Sequence, residues 1–277
     1  MKRQAPPTPP PAKPPAPVAG RPRPAFPARL DTSAAAPVNK PSILATRAVL
    51  STPAAPARLS RGIGMDSSAV RHAMVRKLQA QGITHPAVLG AMQVVERHRF
   101  VDSGFVPQAY EDTSLPIGLG QTISKPSVVA RMLELLCLGR SERLGRVLDI
   151  GTGCGYQAAV LSHLAREVYS IERLRALHDK ARENLRAFRL ANVHLLFGDG
   201  MPGYPQGAPY SGIVAAAGGN DVPSAWVEQL AIGGRLVAPA VTNGRQQHLV
   251  VIDRTAQGVT RSVLEPVLFV PLKSGVS

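Results

Sequence analysis

The residues with the clearest chemical potential lie around a glycine-rich turn, Gly151-Thr-Gly-Cys-Gly155. The apolar pair Val147-Leu148 before the turn predicts a buried strand, and the apolar spacing over Tyr156–Leu164 predicts a helix after it. Glycines at such a junction let a ligand approach the main chain closely. A strand, a glycine turn and a helix in this order are typical of a nucleotide-binding α/β unit.

Two acids narrow the choice of ligand. Asp149 stands directly before the turn, and Glu172 ends the next predicted strand, residues 168–172. The dinucleotide fingerprint needs its third glycine at position 156, where this chain has Tyr156. Asp149 would repel a pyrophosphate but suits a cation, and an acid at Glu172 can accept hydrogen bonds from ribose hydroxyls. A ribose without phosphate, with an ammonium or sulfonium group, indicates S-adenosylmethionine; a turn without a cofactor, or with a nucleotide, is the alternative.

A second candidate segment is Gln121-Thr122-Ile123-Ser124, near the end of a long stretch with little periodicity, residues 99–127. Long irregular segments in compact domains are often functional loops. Pro126 predicts the start of a helix, whose free N–H groups and partial positive charge favour anions. Hydroxyls beside such a terminus could bind a carboxylate. Equally, Ser124 could simply cap the helix, and the residues alone leave both interpretations open.

Alternating predicted strands and helices must position these residues. Further strands are predicted at residues 192–197, 210–217, 234–239, 247–253 and 267–270, and helices at residues 173–190 and 223–231. The alternation predicts an α/β, doubly wound, mainly parallel sheet. Ligands bind such sheets outside the carboxyl ends of the strands. Asp149, Glu172 and Asp199 all occupy such ends and should therefore converge on one crevice.

The composition divides the chain of 277 residues into an arm and a folded part. Residues 1–62 hold ten of the Lys and Arg residues, one acid and 15 of the 26 prolines, which predicts a basic, disordered, Pro-rich arm. Such an arm could be a solvated extension, an electrostatic tether or a transit peptide. Residues 63–277 then form the folded domain, with a helical cap and substrate loop over 63–127 and a Rossmann-like core over 128–277.

The same composition argues against several classes of protein. Most of the net charge of +14 belongs to the arm, so it is weak support for nucleic-acid binding by the folded part. No apolar run is long enough for a transmembrane helix, and the amino terminus lacks the apolar core of a secretory signal. Two cysteines are too few for a disulfide framework, and we expect no metal site. A cytoplasmic monomer is the expectation.

Two stretches together resemble the protein-L-isoaspartate (D-aspartate) O-methyltransferase family. The first is Leu115-Pro-Ile-Gly-Leu-Gly-Gln-Thr-Ile-Ser-Lys-Pro126, and the second is Val147-Leu-Asp-Ile-Gly-Thr-Gly-Cys-Gly-Tyr-Gln157. Many methyltransferases share the glycine motif, whereas the Gly-Gln-Thr-Ile-Ser run is the specific match. Shorter matches occur at residues 99–102, 198–200 and 269–272, so the resemblance covers about residues 67–273.

The resemblance implies a Rossmann-like methyltransferase that uses S-adenosylmethionine to methylate L-isoaspartyl residues in damaged proteins and peptides. It implies Ser124 as the catalytic residue, with Gln121, Thr122 and Ile123 at the junction of substrate and cofactor. It also implies cofactor contacts from the glycine turn, Glu172 and the third strand end, which are Asp149, Gly151, Thr152, Gly153, Gly155, Glu172, Asp199 and Gly200. The family usually has an acid where this chain has Ser211, at the start of a strand and away from the chemistry.

Two rival functions follow from the same residues. The first is an S-adenosylmethionine-dependent methyltransferase that acts on another carboxylate or on a small molecule. The second is a nucleic-acid-binding protein that uses the basic arm and keeps the fold as a scaffold. The arm has no interleaved aromatic residues to support specific recognition, so no specific nucleic-acid partner is expected. Trp226 and Cys154 are interpreted as packing residues.

Overall fold

The computed structural model describes residues 68–242, 244 and 246–277 of the chain. The predicted arm, residues 1–62, lies outside the described residues. The helices are α1 (Ser68–Ala80), α2 (Pro86–Val94), α3 (Pro126–Cys137), α4 (Tyr156–Leu164), α5 (Arg175–Arg186) and α6 (Ser224–Glu228). The strands are β1 (Leu115–Gly118), β2 (Gln121–Ile123), β3 (Leu144–Ile150), β4 (Ala165–Glu172), β5 (Val193–Phe197), β6 (Tyr210–Ala215), β7 (Leu230–Thr242), β8 (Gln246–Thr255) and β9 (Gly258–Pro266).

The main sheet confirms the predicted doubly wound architecture. Within the described residues its strand order is β5-β4-β3-β6-β7-β8-β9. Strands β5, β4, β3, β6 and β7 pair in parallel, and β8 and β9 join the β7 edge antiparallel. The central strands are apolar because both of their faces are covered, and Val147, Leu148 and Val168 are completely buried.

The strand order places a topological switch point between β3 and β6. The chain moves from β3 outward through β4 to β5, and then returns to the other side of β3 for β6. Ligands bind α/β sheets at this point, because the connections diverge there and leave a crevice. The glycine turn follows β3 and therefore lies at the crevice.

Two sequence-based expectations about strands are wrong. Part of the stretch predicted as irregular forms a hairpin, in which β1 pairs antiparallel with β2. The last strand of the sheet is β9, Gly258–Pro266, and residues 267–270 form no strand. Six of the nine residues of β9 are exposed in an unbroken run, so the apolar alternation that marks a half-buried strand is missing.

The predicted helical cap is formed by α1 and α2, which pack against α3 and α4. Met74, Leu78 and Met92 are among its buried residues. Glu134 of α3 ties the cap to the core, because its Oε1 accepts the N–H groups of Thr84 and His85 at 2.7 and 3.0 Å. The start of α2 is therefore fixed from α3, the helix that also follows the candidate substrate segment.

Candidate active site

The glycine turn after β3 is held closed by the protein's own groups. Gly151 and Thr152 donate their N–H groups to Ile171 O, at 2.9 and 3.2 Å. Gly153 N–H donates to Glu172 Oε2 at 2.9 Å. Gly151 has a φ of 90°, which glycine adopts at little cost. Because these N–H groups are already bonded, the turn offers no cradle for a pyrophosphate.

Glu172 is the acid that faces the crevice. Its side chain is almost fully buried at the end of β4, and its Oε1 accepts a second N–H, that of Leu174, at 2.9 Å. Each carboxylate oxygen has a further lone pair, so Glu172 can still accept hydrogen bonds from ligand hydroxyls. The two main-chain bonds fix the carboxylate in place, as a ribose-binding acid requires.

Asp149 does not line the crevice, contrary to the expectation that it contacts the ligand. It is completely buried, and its carboxylate accepts hydrogen bonds from Gln157 Nε2 at 2.8 Å and Ser170 Oγ at 2.7 Å. The Oγ atom of Ser170 lies 2.6 Å from Thr152 Oγ1, and Thr152 does line the crevice. Burial raises the pKa of Asp149 to about 6, although the bonds from Ser170 and Gln157 oppose the shift. Ser170 and Thr152 therefore connect its carboxylate to the crevice by hydrogen bonds.

After β5, Gly200 lines the crevice, whereas Asp199 binds another segment of the chain. Gly200 lines the crevice, and its carbonyl oxygen accepts a hydrogen bond from Trp226 Nε1 at 2.9 Å. Trp226 is buried, which confirms its interpretation as a packing residue. Asp199 does not line the crevice, because its Oδ2 accepts the N–H of Gly275 at 2.6 Å. Asp199 thus holds the segment near the end of the chain.

Gly155, the last glycine of the turn, is needed for the packing of α4 against α5. It precedes α4 with a φ of 93°, and a Cβ added there would lie 3.1 Å from Leu185 Cδ1 of α5. Gly155 therefore allows α4 and α5 to approach each other, and it does not line the crevice. The neighbouring Cys154 is buried, and burial raises the pKa of its thiol, which agrees with a space-filling role.

Strand β2 brings the second predicted segment to the same crevice. Gln121, Thr122, Ile123 and Ser124 all line it, together with Glu172. Thr122 and Ser124 also line an adjoining cavity, whose other wall is formed by residues 266–270. Neither hydroxyl has a hydrogen-bond partner among the described residues. Two unbonded hydroxyls thus stand between two cavities.

The N-terminus of α3 is not open to a ligand. Pro126 has no N–H, Ser127 N–H donates to Asp112 Oδ1 at 2.8 Å, and the next two N–H groups donate to Lys125 O. The expected carboxylate cradle of free helix N–H groups is therefore wrong, because Asp112 already supplies an anionic partner. The rival interpretation, that Ser124 caps the helix, is also wrong, since Lys125 is the N-cap residue and no side-chain cap bond forms from it.

One wall of the crevice is formed by residues that no local sequence pattern marked as functional. Residues 270–273 line the crevice. They are fastened to the end of β6, because Gly218 N–H donates to Val270 O and Leu272 N–H donates to Gly218 O, both at 2.9 Å. Only the match to the family at residues 269–272 pointed to this segment, since its apolar residues suggested a strand.

Ser211 lies away from the crevice, as expected for its position. It is the second residue of β6, and its Oγ donates to Arg146 O at 3.0 Å. The crevice is at the opposite, carboxyl end of this strand, where Ala216 and Ala217 line it. The serine therefore completes a contact between β6 and β3.

The crevice suits a phosphate-free nucleoside with a positive charge. Glu172 and the bonded amides disfavour phosphate at the turn itself, although Arg173 and Lys273 also line the crevice. Leu174 and Leu177 add apolar surface for a base. Among residues 68–242, 244 and 246–277, no cluster of three or more His, Cys, Asp or Glu side chains could hold a metal ion. The fold and this crevice together define a Rossmann-like methyltransferase that uses S-adenosylmethionine.

The particular family follows from comparison with known proteins. The model of the protein-L-isoaspartate(D-aspartate) O-methyltransferase family matches residues 69–277. A protein-L-isoaspartate O-methyltransferase of Methylibium petroleiphilum is 54% identical over 269 residues, which are 92% of this chain and 97% of the relative. One of Burkholderia vietnamiensis is 57% identical over 80% of this chain and 72% of its own length. The chain belongs to this family, as its sequence motifs predicted.

Solved structures agree with this assignment. A protein-L-isoaspartate O-methyltransferase aligns with a TM-score of 0.67 at 27% identity, covering 74% of this chain and 67% of that one. A Plasmodium falciparum protein, in complex with S-adenosyl-L-homocysteine, has a TM-score of 0.63 at 23% identity and covers 73% of this chain and 98% of its own. The Rossmann-like fold is confirmed, and S-adenosylmethionine is the cofactor of the family.

Proposed function

We propose that Ser124 and Thr122 orient the substrate for the reaction of this family, the S-adenosylmethionine-dependent methylation of isoaspartyl residues. The observation that carries the proposal is the position of these hydroxyls between the two cavities, without partners among the described residues. A carboxylate is an acceptor only, so two free O–H donors are suitable partners for it. Gln121 and Ile123 complete the junction on either side of Thr122.

The remaining lining residues would hold the cofactor. S-adenosylmethionine, when bound, supplies an electrophilic methyl group on a positively charged sulfur. Glu172 would accept the ribose hydroxyls, while Gly151, Thr152 and Gly153 would contact the methionine portion. Gly200 would lie against the base. Asp149 would favour the positive charge from beneath the turn, and Gly155 and Asp199 would support the lining without contact.

The substrate needs no general base. The α-carboxylate of an isoaspartyl residue has an ordinary pKa of about 3–4 and is ionised at neutral pH. The protein must align one carboxylate oxygen with the methyl group and exclude water without protonating that oxygen. Ser124 serves this alignment and is no covalent nucleophile, because the sequence has no His–acid pair at a recognisable spacing for a triad. The methyl ester formed would leave the enzyme. The nitrogen of the following peptide bond would then attack the ester carbonyl carbon, expel methanol and close a succinimide, which begins repair.

The test is transfer of labelled methyl from S-adenosylmethionine to paired peptides, one with L-isoaspartate and one with ordinary aspartate. We expect base-labile methyl ester on the isoaspartyl peptide alone. Methylation of both peptides, or of neither while the cofactor still binds, would contradict the substrate assignment. It would favour the rival methyltransferase that acts on another carboxylate.

The setting of the enzyme is also part of the proposal. We place it in the cytoplasm as a monomer, with isoaspartyl proteins and peptides as its partners and no specific nucleic acid. In the part of the chain that the structure describes, none of the helices has the length and apolarity to cross a membrane. The proposed division keeps residues 1–62 as an arm, 63–127 as cap and substrate loop, and 128–277 as the core. Sedimentation of the full chain, with and without residues 1–62, tests the monomer.

A further inference from the structure

Arg97 is a buried cation directly behind Ser124. It opens a short 3₁₀ helix, Arg97–Phe100, and its side chain is completely buried. Its Nε donates to Ala109 O and its Nη2 donates to Ser124 O, both at 2.8 Å. Its guanidinium carbon lies 4.8 Å from the ring centre of Tyr156, a residue that lines the cofactor crevice. Arg97 therefore contacts both the catalytic segment and the cofactor side.

The charge of Arg97 is poorly balanced inside the protein. Its Nη1 is buried and lacks a hydrogen-bond partner within the described residues. Burial lowers the pKa of Arg97, while Tyr156, Cys154 and Asp112 oppose the shift. By contrast, Arg235 forms a two-bond pair with Asp253, at 2.6 and 3.1 Å. A buried guanidinium without such a pair is unfavourable unless another group provides the negative charge.

Other positive groups near Ser124 are less suited to a substrate carboxylate. The N-terminus of α3 is bonded to Asp112, so an anion already occupies it. Lys125 lines the adjoining cavity and Lys273 lines the crevice, but both are exposed, and water screens an exposed charge far more than a buried one. Arg97 combines a buried charge with a direct bond to the main chain of Ser124.

We propose that Arg97 is a positioning residue for the substrate carboxylate. It fixes the main chain of Ser124 from behind, and its unbalanced charge is matched when the carboxylate binds the Ser124 hydroxyl. This inference rests on the proposed function, since it assigns Arg97 to the same substrate site. It predicts that the enzyme prefers a negatively charged group at this position, and that the preference depends on Arg97.

The experiment compares two peptides that differ only in this charge. One carries L-isoaspartate with its free α-carboxylate, and the other carries the neutral α-carboxamide. Their dissociation constants are measured by calorimetry on the full chain saturated with S-adenosyl-L-homocysteine, so that no turnover occurs. Arg97→Gln and Lys125→Gln each remove one positive charge, and Arg97→Lys keeps it. Methyl transfer to the isoaspartyl peptide by the unaltered enzyme is measured first, so failure of the proposed function is recognised separately.

We expect Arg97→Gln to weaken binding of the carboxylate peptide about tenfold and of the carboxamide peptide less than twofold, because an unscreened charge acts on the anion alone. Arg97→Lys should keep most of the preference but lower kcat, since it cannot reproduce both carbonyl bonds. Lys125→Gln should change the preference less than Arg97→Gln does.

Several results would overturn the inference. If Arg97→Gln weakens both peptides equally, Arg97 has a structural role only. A loss of preference in Lys125→Gln instead would assign the charge to the exposed lysine. Binding of S-adenosyl-L-homocysteine checks that each variant is folded. If Arg97→Gln does not fold, Arg97→Lys decides the matter, because loss of the preference for the carboxylate peptide in a variant that keeps the positive charge would contradict the proposal.

Discussion

The two sides of the crevice are built in different ways. The cofactor side, formed by Gly151–Thr152–Gly153, Glu172 and Gly200, follows the ends of parallel strands. The N–H groups of its turn donate to Ile171 O or to the Glu172 carboxylate, so its shape is fixed before a ligand arrives. The junction side, residues 121–124, lies on a short hairpin and presents hydroxyls without partners among the described residues.

We expect this difference to separate cofactor binding from methyl transfer. A side built from bonded main-chain groups can recognise a ligand by shape and by the lone pairs that remain on Glu172. On the junction side, by contrast, the hydroxyl donors have no partners among the described residues. Its main chain is held by Arg97, which donates to Ser124 O, and by Asp112, which accepts Ser127 N–H. Changes on the cofactor side should therefore alter cofactor affinity, and changes on the junction side should alter turnover.

The largest effect expected is that of Ser124→Ala. Removing an oriented donor from the reacting carboxylate should lower kcat about a hundredfold. The dissociation constant for S-adenosylmethionine should change less than about twofold, because the cofactor contacts remain. Steady-state kinetics and calorimetry measure the two quantities. Ser127→Ala, the same change three residues later, is the control, and near-normal turnover of Ser124→Ala would refute the assignment.

Glu172→Ala should show the reverse pattern. The substitution removes the acceptor of two main-chain N–H groups and of the ribose hydroxyls, so cofactor affinity should fall about thirtyfold. At saturating cofactor, kcat should fall only severalfold. Calorimetry gives the affinity, and an unchanged dissociation constant would contradict the ribose assignment. Glu172→Gln, which keeps one oxygen acceptor, should be intermediate.

The cofactor side was predictable from the sequence because its chemistry follows regular elements. Strand ends can be located from apolar runs, and parallel strands bring such ends to one edge of the sheet. This argument led to Glu172, which lines the crevice, whereas Gly200, which also lines it, was named only through the family resemblance. Asp149 and Asp199 occupy equivalent positions in the sequence, but side-chain direction decides the contact. Asp149 points beneath the turn to Gln157 and Ser170, and a sequence pattern does not give that direction.

The junction side was predictable only in part. The Gln121–Ser124 run was found from its hydroxyls and its family match, but its supports come from residues distant in sequence. Asp112 occupies the helix terminus 15 positions later, and Arg97 reaches Ser124 across 27 positions. Neither the periodicity of a helix nor that of a strand relates such pairs. Long-range polar contacts of irregular segments therefore had to come from the structure.

A smaller effect should reveal how Asp149 acts on the cofactor side. Burial raises its pKa to about 6, so its negative charge is present above that pH and is lost as the pH falls through it. A cationic ligand should then bind more weakly, by about three- to tenfold between pH 7.5 and pH 5. Calorimetry with S-adenosylmethionine across this range measures the effect.

The control for this pH dependence is Asp149→Asn. The variant has no charge to lose, so its affinity should be weak at both ends of the range and nearly independent of pH. If it shows the same pH dependence as the unaltered enzyme, another group is responsible. If neither protein shows a pH-dependent affinity, the charge of Asp149 has no effect on the ligand through Ser170 and Thr152.

The smallest effect is expected for Asp112→Ala, which removes a support of the junction side without touching the cofactor side. Loss of the bond to Ser127 N–H should lower the free energy of unfolding by about 1 kcal/mol, a typical value for a helix cap. The melting temperature should fall by about 2–4 °C for a domain of this size. Asp112→Asn keeps an oxygen acceptor and should retain most of the stability.

Because Ser124 immediately precedes the N-cap, KM for the isoaspartyl peptide should rise severalfold in the alanine variant while cofactor affinity stays constant. Equal changes in the two affinities would mean that the two sides of the crevice are not independent.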